Sequence, residues 1–506
     1  MKKYWQYILY VCVATVWIAI TIVLPDFLDN PITELRGIIT IGVYVVALSI
    51  VSWLWLYIAS LNKYVAAVFV PLYGMIGAAV SYYRVMYHVT ITPLMLDCIF
   101  HTNMEEAAGV ITWSLIVWVM TNLAIGIAFG VWRWRLTDPK HAWIHALITM
   151  VLFSGYYHFD SRLHKSINQR YPMHIVESMR LYIHLQQQRQ QQHLMPEYVV
   201  DYSPDSLDIV VVIGESARAD HLSLNGYDRP TNPLLSQRTN VVSLPHIYSE
   251  YTHTLASVPV LLTRADSLHP EYQYSETSFA AILRNEGYHT AWISNQDLGE
   301  TFASFPAECD TAVWLNAGKS VFIFSGWYDE KLLSEMDKQL AKENNKNLLI
   351  LHTIGSHWYY NNHVPEMHNH FLPITNNRVV TNNTPEAVIN SYDNTIRYTD
   401  LVLDSIIARI ENRCAIVFYL SDHGESLGED GNWLHATGAE ETKYPACVIW
   451  YSDAFAQQHP DKIKALYANK DKRYRTDILF HSVLSAAGIS IVNTDSTIDI
   501  FRTLHH

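Results

Sequence analysis

Ahead of about residue 157 the chain carries five apolar stretches that approach the roughly 20 residues needed to cross a hydrocarbon core. They run over 4–24, 37–60, 64–83, 107–134 and 141–157, and nothing nearby is polar enough to cover them in water. Lys2 and Lys3 ahead of the first stretch suggest a signal peptide, but its apolar run is too long for one. No small-residue cleavage site follows at Pro25-Asp26, and four further stretches come after it, so it reads as an anchor. The expectation is an N-terminal five-helix transmembrane bundle over 1–159. Lys2, Lys3, Lys63, Arg133, Arg135 and Lys140 then fall on one side, against Arg36 and Arg84 in the short connections of the other. The richer side is cytoplasmic by the positive-inside rule, so an odd number of helices delivers the rest of the chain to the opposite face. In a Gram-negative cell that face is the periplasm.

At 506 residues, 50% hydrophobic and 16% charged, the chain is neither disordered nor a small disulfide scaffold, and it needs more than one body of structure. The net charge of −13, from 35 basic and 48 acidic residues, excludes a general nucleic-acid binder. The five cysteines, at 12, 98, 309, 414 and 447, form no CxxC-type zinc spacing. Residues 160–205 change character, with an amphipathic stretch running into a glutamine-rich one (Gln186 to Gln192). This segment reads equally as an interfacial helix with a tether or as a solvated linker.

From 206 to 506 short apolar runs alternate with helical patterns, which predicts an α/β domain around a mostly parallel sheet. Three runs end in groups that bind metals. Asp208 to Ile213 leads into Gly214-Glu215-Ser216, Asn347 to His352 into Gly355-Ser356-His357, and Cys414 to Leu420 into Ser421-Asp422-His423-Gly424-Glu425. In open α/β sheets a site forms beyond the carboxyl ends of the strands, so such residues can meet. Glu215, His357, Asp422, His423 and His435 offer the oxygen and imidazole ligands that zinc prefers and manganese tolerates. Among 25 histidines any single one is more often structural, and the weight lies in the convergence. Ser216 suggests a nucleophile but lacks the Gly-x-Ser-x-Gly spacing and a dedicated histidine base. Thr252, Thr254 and Ser257 form a hydroxyl-bearing helix start, for which ordinary capping is the simpler reading from that stretch alone.

Taken together, Ile213-Gly214-Glu215-Ser216-Ala217-Arg218, Gly226-Tyr227-Asp228-Arg229-Pro230-Thr231, Leu351 to His357, Tyr392 to Asp400, and Ser421 to Glu429 with Leu434-His435 resemble the bacterial inner-membrane phosphoethanolamine transferases of the sulfatase and alkaline-phosphatase superfamily. The likeness covers the soluble half in order and the five-span anchor. It implies an α/β sulfatase-like periplasmic domain and a threonine nucleophile five residues before a proline, a spacing Thr254 and Pro259 keep. It further implies that Glu215, Thr254, Asp422 and His423 hold the principal zinc, while His357 and His435 bind the phosphate or a second zinc. In the family an Asn-x3-Thr-x3-Glu pattern holds the ethanolamine end of the substrate; here Thr102 and Glu106 keep the spacing, with Cys98 in the Asn place.

The implied reaction is a double displacement. Phosphatidylethanolamine donates phosphoethanolamine to Thr254, which passes it to an envelope acceptor: lipid A phosphate, core heptose or Kdo of lipopolysaccharide, or a periplasmic glucan. Two departures bear on the acceptor and the turn. Many lipid A-modifying relatives bracket the nucleophile with a disulfide, where this chain has Glu250 and Val260, so packing is expected to hold the turn. A lysine of those relatives appears here as Glu300, which disfavours the same acceptor. The competing readings are a metal-dependent phosphodiesterase or sulfatase-type hydrolase, a glycerol-phosphate transferase, and a non-enzymatic envelope scaffold or sensor with a degenerate site.

Overall fold

The computed structural model describes residues 2–29, 35–87, 91, 95–96, 99–100, 110–139, 144–145, 147–151, 154, 171–189, 193–296, 304–315, 326–342, 344–435, 438–493 and 496–502. The chain divides into two compact units, Met1–Asp97 with Ile111–Leu185, and Cys98–Val110 with Gln186–His506.

The first unit is helical: α1 (Lys2–Asp29), α2 (Leu35–Ser60), α3 (Lys63–Tyr87), α4 (Trp113–Arg135) and α5 (Met173–Arg189). Among the described residues three helical segments are long and apolar enough to cross a membrane, Tyr4–Val23, Lys63–Met86 and Trp113–Arg135, with Leu48–Ser60 a shorter apolar helix. The expected fifth span, 141–157, falls mostly outside the described residues. Lipid tails give helices no hydrophobic reason to associate, so close approach has to come from small residues. Gly126 and Gly130 supply it: a Cβ at Gly126 would lie 2.6 Å from Cα of Pro71, and one at Gly130 3.5 Å from Cα of Ala67. Two buried polar side chains show how this unit satisfies such groups. Asn122 Oδ1 accepts from Trp17 Nε1 at 3.0 Å and from Thr21 Oγ1 at 2.7 Å. The fully buried Arg133 donates to the carbonyls of Ser60, Leu61 and Leu136 and to Asp138.

The second unit is built on a seven-stranded sheet: β1 (Leu207–Gly214), β2 (Val241–Ser243), β3 (His289–Ser294), β4 (Thr311–Trp314), β5 (Lys346–His352), β6 (Ala415–Ser421) and β7 (Cys447–Tyr451). Its spatial order is β2-β7-β6-β1-β5-β3-β4. The sheet is mixed: β6, β1, β5, β3 and β4 run parallel, while β7 pairs antiparallel with both β6 and β2. Every residue of β1 is buried, as expected for a strand covered on both faces. The helices that matter for the site are α6 (Thr254–Leu262), α7 (Lys331–Leu340), α8 (Pro385–Ile410) and α9 (Ile478–Ala486). Helix α8 starts where its sequence dictates: Thr384 caps the amide of Ala387 and Pro385 occupies the first turn, where its missing N–H costs nothing.

Candidate functional site

Strand order decides which side chains meet. Central β1 has β6 on one side, with Gly214 opposite Ser421, and β5 on the other, with Ile213 opposite His352. The residues that follow these strands, Glu215, Asp422-His423 and the 353–357 turn, therefore emerge side by side. Thr254 opens α6, and its Oγ1 donates to Glu215 Oε2 at 2.8 Å. His423 Nε2 sits 3.5 Å from Glu215 Oε1 and 3.3 Å from Asp422 Oδ2. The His435 ring centre lies 4.8 Å from that of His423 and 5.7 Å from that of His357, tilted against both. Of the three hydroxyls at the α6 start, Thr254 is the one that reaches Glu215; Ser257 turns back to the carbonyl of Tyr251 at 3.3 Å.

The electrostatics are those of a cation site. Burial raises the Glu215 carboxyl, yet the imidazoles of His423, His357 and His435 outweigh it and hold the group down at about 2. Burial, and then the Glu215 charge, push Asp422 well above the ordinary carboxylate range, because two close carboxylates cannot both ionise cheaply. Asp422 Oδ2 and His423 Nε2 are buried without a hydrogen-bond partner, whereas polar atoms in native cores are normally paired. A divalent cation resolves both conflicts at once. Ligand atoms of Glu215, His423 and His435 already lie within 4.8 Å of one another, so the residues fit a metal of the zinc type.

Sequence reasoning assigned no role to the partners that orient this cluster. Ser216, at φ 57°, donates its hydroxyl to Glu215 Oε1 at 2.8 Å. Gln296 Nε2 donates to Glu215 Oε2 at 3.1 Å and to the Thr353 carbonyl at 2.9 Å. Glu425 takes His435 Nδ1 at 3.0 Å and the Tyr360 hydroxyl at 3.2 Å, and burial notwithstanding, its charge raises the His435 pKa. Only the position of Glu425, two residues after His423, hinted at it. Thr102, Glu106, Cys98 and Glu300 lie outside the described residues. The turn before Thr254 is held by more than the expected packing: Glu250 forms an ion pair with Arg475, whose guanidinium lies 6.0 Å from the ring centre of Tyr248.

Comparison with known proteins agrees with this geometry. The sulfatase family model matches residues 208–489, and the model described as phosphoethanolamine transferase EptA/EptB matches residues 38–159. The phosphoethanolamine transferase EptA of Salmonella typhimurium is 27% identical over 94% of this chain and 92% of its own. Among solved structures, the integral membrane lipooligosaccharide phosphoethanolamine transferase A of Neisseria meningitidis superposes with a TM-score of 0.79 at 23% identity, covering 97% of each chain. The C-terminal periplasmic domain of Escherichia coli EptC, solved in complex with zinc, covers 62% of this chain and 90% of its own at a TM-score of 0.54 and 23% identity. Membrane-half match, sheet and full-length likeness all point the same way: the chain belongs to the sulfatase family, and within it to the phosphoethanolamine transferases.

Proposed function

We propose that this protein is anchored in the inner membrane by residues 1–159, tethered through 160–205, and uses its periplasmic 206–506 body to move phosphoethanolamine from phosphatidylethanolamine to an envelope acceptor. The observation that carries the reading is the Thr254 hydroxyl hydrogen-bonded to Glu215 beside the unpaired, buried Asp422 Oδ2 and His423 Nε2. Zinc, as one ion or two, is the cofactor this donor set fits, with manganese the alternative, and when bound it supplies the positive charge that stabilises an alkoxide near neutral pH. Glu215, Asp422 and His423 would hold it with Thr254.

In the first half-reaction Thr254 Oγ1 bonds to phosphorus, the bond from phosphorus to the diacylglycerol oxygen breaks, and diacylglycerol leaves with a proton. Phosphoethanolamine-threonine remains. An acceptor oxygen then attacks the same phosphorus, the Thr254 Oγ1–P bond breaks, and Thr254 regains its proton. His357 and His435 face the phosphoryl oxygens, and His435, steered by Glu425, exchanges the protons. Such positioning and charge are what proteins chiefly contribute to phosphoryl transfer. Thr102 and Glu106 hold the ethanolamine end. The full-length likeness to a lipooligosaccharide-modifying transferase favours lipopolysaccharide, at lipid A phosphate, heptose or Kdo, over a glucan.

The test is to incubate the purified full-length chain with phosphatidylethanolamine and look by mass spectrometry for one phosphoethanolamine on the peptide carrying Thr254. A modified lipopolysaccharide should follow when acceptor is added. Release of free phosphoethanolamine with acceptor left unmodified would point to a hydrolase, and label on another residue would remove Thr254 from the mechanism.

A further inference from the structure

One buried carboxylate beside the cluster has no part in the reaction just described. Asp329 lies two residues before α7 and is 4% exposed. Its Oδ1 accepts from Asn295 Nδ2 at 2.8 Å and from the Ile354 amide at 2.9 Å, and its Oδ2 accepts from the Gly355 amide at 2.9 Å. All three donors are neutral. A carboxylate buried on amides alone is an expensive way to satisfy two backbone N–H groups, and desolvation indeed pushes its pKa upward. What it holds is therefore worth identifying.

It holds the turn that delivers His357. The Thr353 amide donates to the Ile213 carbonyl at 3.0 Å, the next two amides go to Asp329, the Ser356 amide goes to the Glu215 carbonyl at 2.9 Å, and the His357 amide closes on the Ile354 carbonyl at 3.1 Å. Every amide from 353 to 357 is thus assigned. Gly355 has φ +46°, and a Cβ there would meet the Glu215 carbonyl oxygen at 2.8 Å, so the turn is pressed against the backbone of a proposed ligand on one side and clamped by Asp329 on the other. His357 Nδ1 then bonds the Trp358 carbonyl at 2.6 Å, which fixes the ring and leaves Nε2 for the substrate. Asn295, next to the Gln296 that braces Glu215, locks the carboxylate in place.

We propose that Asp329 is a positioning residue for His357: it grips the Ile354 and Gly355 amides so that the imidazole meets the phosphoryl group across from Thr254. This rests on the reading of His357 given above. An asparagine in place of Asp329 keeps the shape but turns an N–H toward one of the three donors, so Asp329→Asn loosens the turn without leaving a cavity.

The experiment is a double-substitution cycle in the full-length zinc-loaded protein, with Asp329→Asn, His357→Ala and both together. Asp329→Asn alone is expected to lower kcat by about 10–100-fold, as for other partners that orient ligands. KM for phosphatidylethanolamine should move less than about twofold and zinc per chain should not change. With His357→Ala already present, Asp329→Asn should remove less than about a further twofold, since coupled residues are not additive. An equal loss in both backgrounds, or no loss in either, overturns the proposal. Full-rate transfer by His357→Ala would show that the site reading itself is at fault, and the proposal would fall with it. If Asp329→Asn does not fold, Asn295→Ala, which removes one donor and keeps both amides on Asp329, runs the same cycle with a smaller expected loss.

Discussion

Arg133 in the helical unit and the Asp422-His423 pair in the α/β unit are buried to the same degree but are treated in opposite ways. The guanidinium is surrounded by acceptors: the carbonyls of Ser60, Leu61 and Leu136 and the carboxylate of Asp138. That joins the ends of α2 and α4 and leaves nothing to react. Asp422 Oδ2 and His423 Nε2 instead face each other and Glu215 without a hydrogen-bond donor or acceptor of their own. Single unpaired polar atoms are buried elsewhere, Tyr10 Oη and Ser60 Oγ of the helical unit among them, so what separates a functional cluster from a structural one is several ligand-type atoms left unpaired within reach of one another.

The largest test of that contrast is Thr254→Ala. Transfer should fall by at least about a thousandfold, with no covalent label and an unchanged melting temperature, since the lost group is the nucleophile. Chelation comes next: stripping metal should abolish transfer and lower apparent stability by about 3–4 kcal/mol relative to protein held at several hundred times Kd in zinc, read by thermal melts with and without added ion. Equal melts in both conditions would break the comparison. Arg133→Met probes the other side of it, with an expected loss of about 3 kcal/mol as carbonyls are left unpaired and unchanged turnover per folded molecule.

A smaller effect separates chemistry from mere burial inside the α/β unit. His481 on α9, near Arg264 and Asp266, is driven down to about 4 by desolvation. The unfolded chain then binds the proton first, so stability from this group is present above pH 6.5 and is lost as pH falls toward 4, by about 2 kcal/mol between pH 7 and pH 5. Asp400 and Asp477, raised to about 6 mainly by burial, work in the opposite direction, stabilising as pH drops from 6 toward 4. His481→Gln isolates the histidine: its stability relative to the parent should improve by that amount on acidification, while transfer at neutral pH is unaffected. Smallest of all, a Glu250 and Arg475 substitution cycle should show a coupling of about 0.2–1 kcal/mol, since both side chains are roughly 40% exposed.

The parts of the site that could be read from the chain are those where chemistry and local pattern coincide. Asp422 and His423 follow an apolar run directly, and Glu215 follows another, so strand ends and metal-type donors announced themselves together. Thr254 had no such mark: a threonine at a helix start is a capping residue in most proteins, and only the resemblance singled it out. Gln296 and Asp329 were silent because their roles exist only across the fold, 81 residues from Glu215 in the case of Gln296, and Glu425 showed only through its place beside His423. Strand direction was equally hidden. Cys447–Tyr451 is buried throughout, and a run covered on both faces looks the same whichever way it points, so the antiparallel β7 could not be told from its parallel neighbours. The expectation of five spans rested on apolar length alone, and among the described residues three helices meet that length.

The Glu250–Arg475 tie has a practical corollary. Cys12, Cys309, Cys414 and Cys447 are all unpaired, so among the described residues no sulfur crosslink stands behind the nucleophile. A phosphine reductant, which cleaves disulfides without the thiolates that would compete for zinc, should leave turnover untouched, and the catalytic body should mature as readily in a reducing cytosol as in an oxidising envelope.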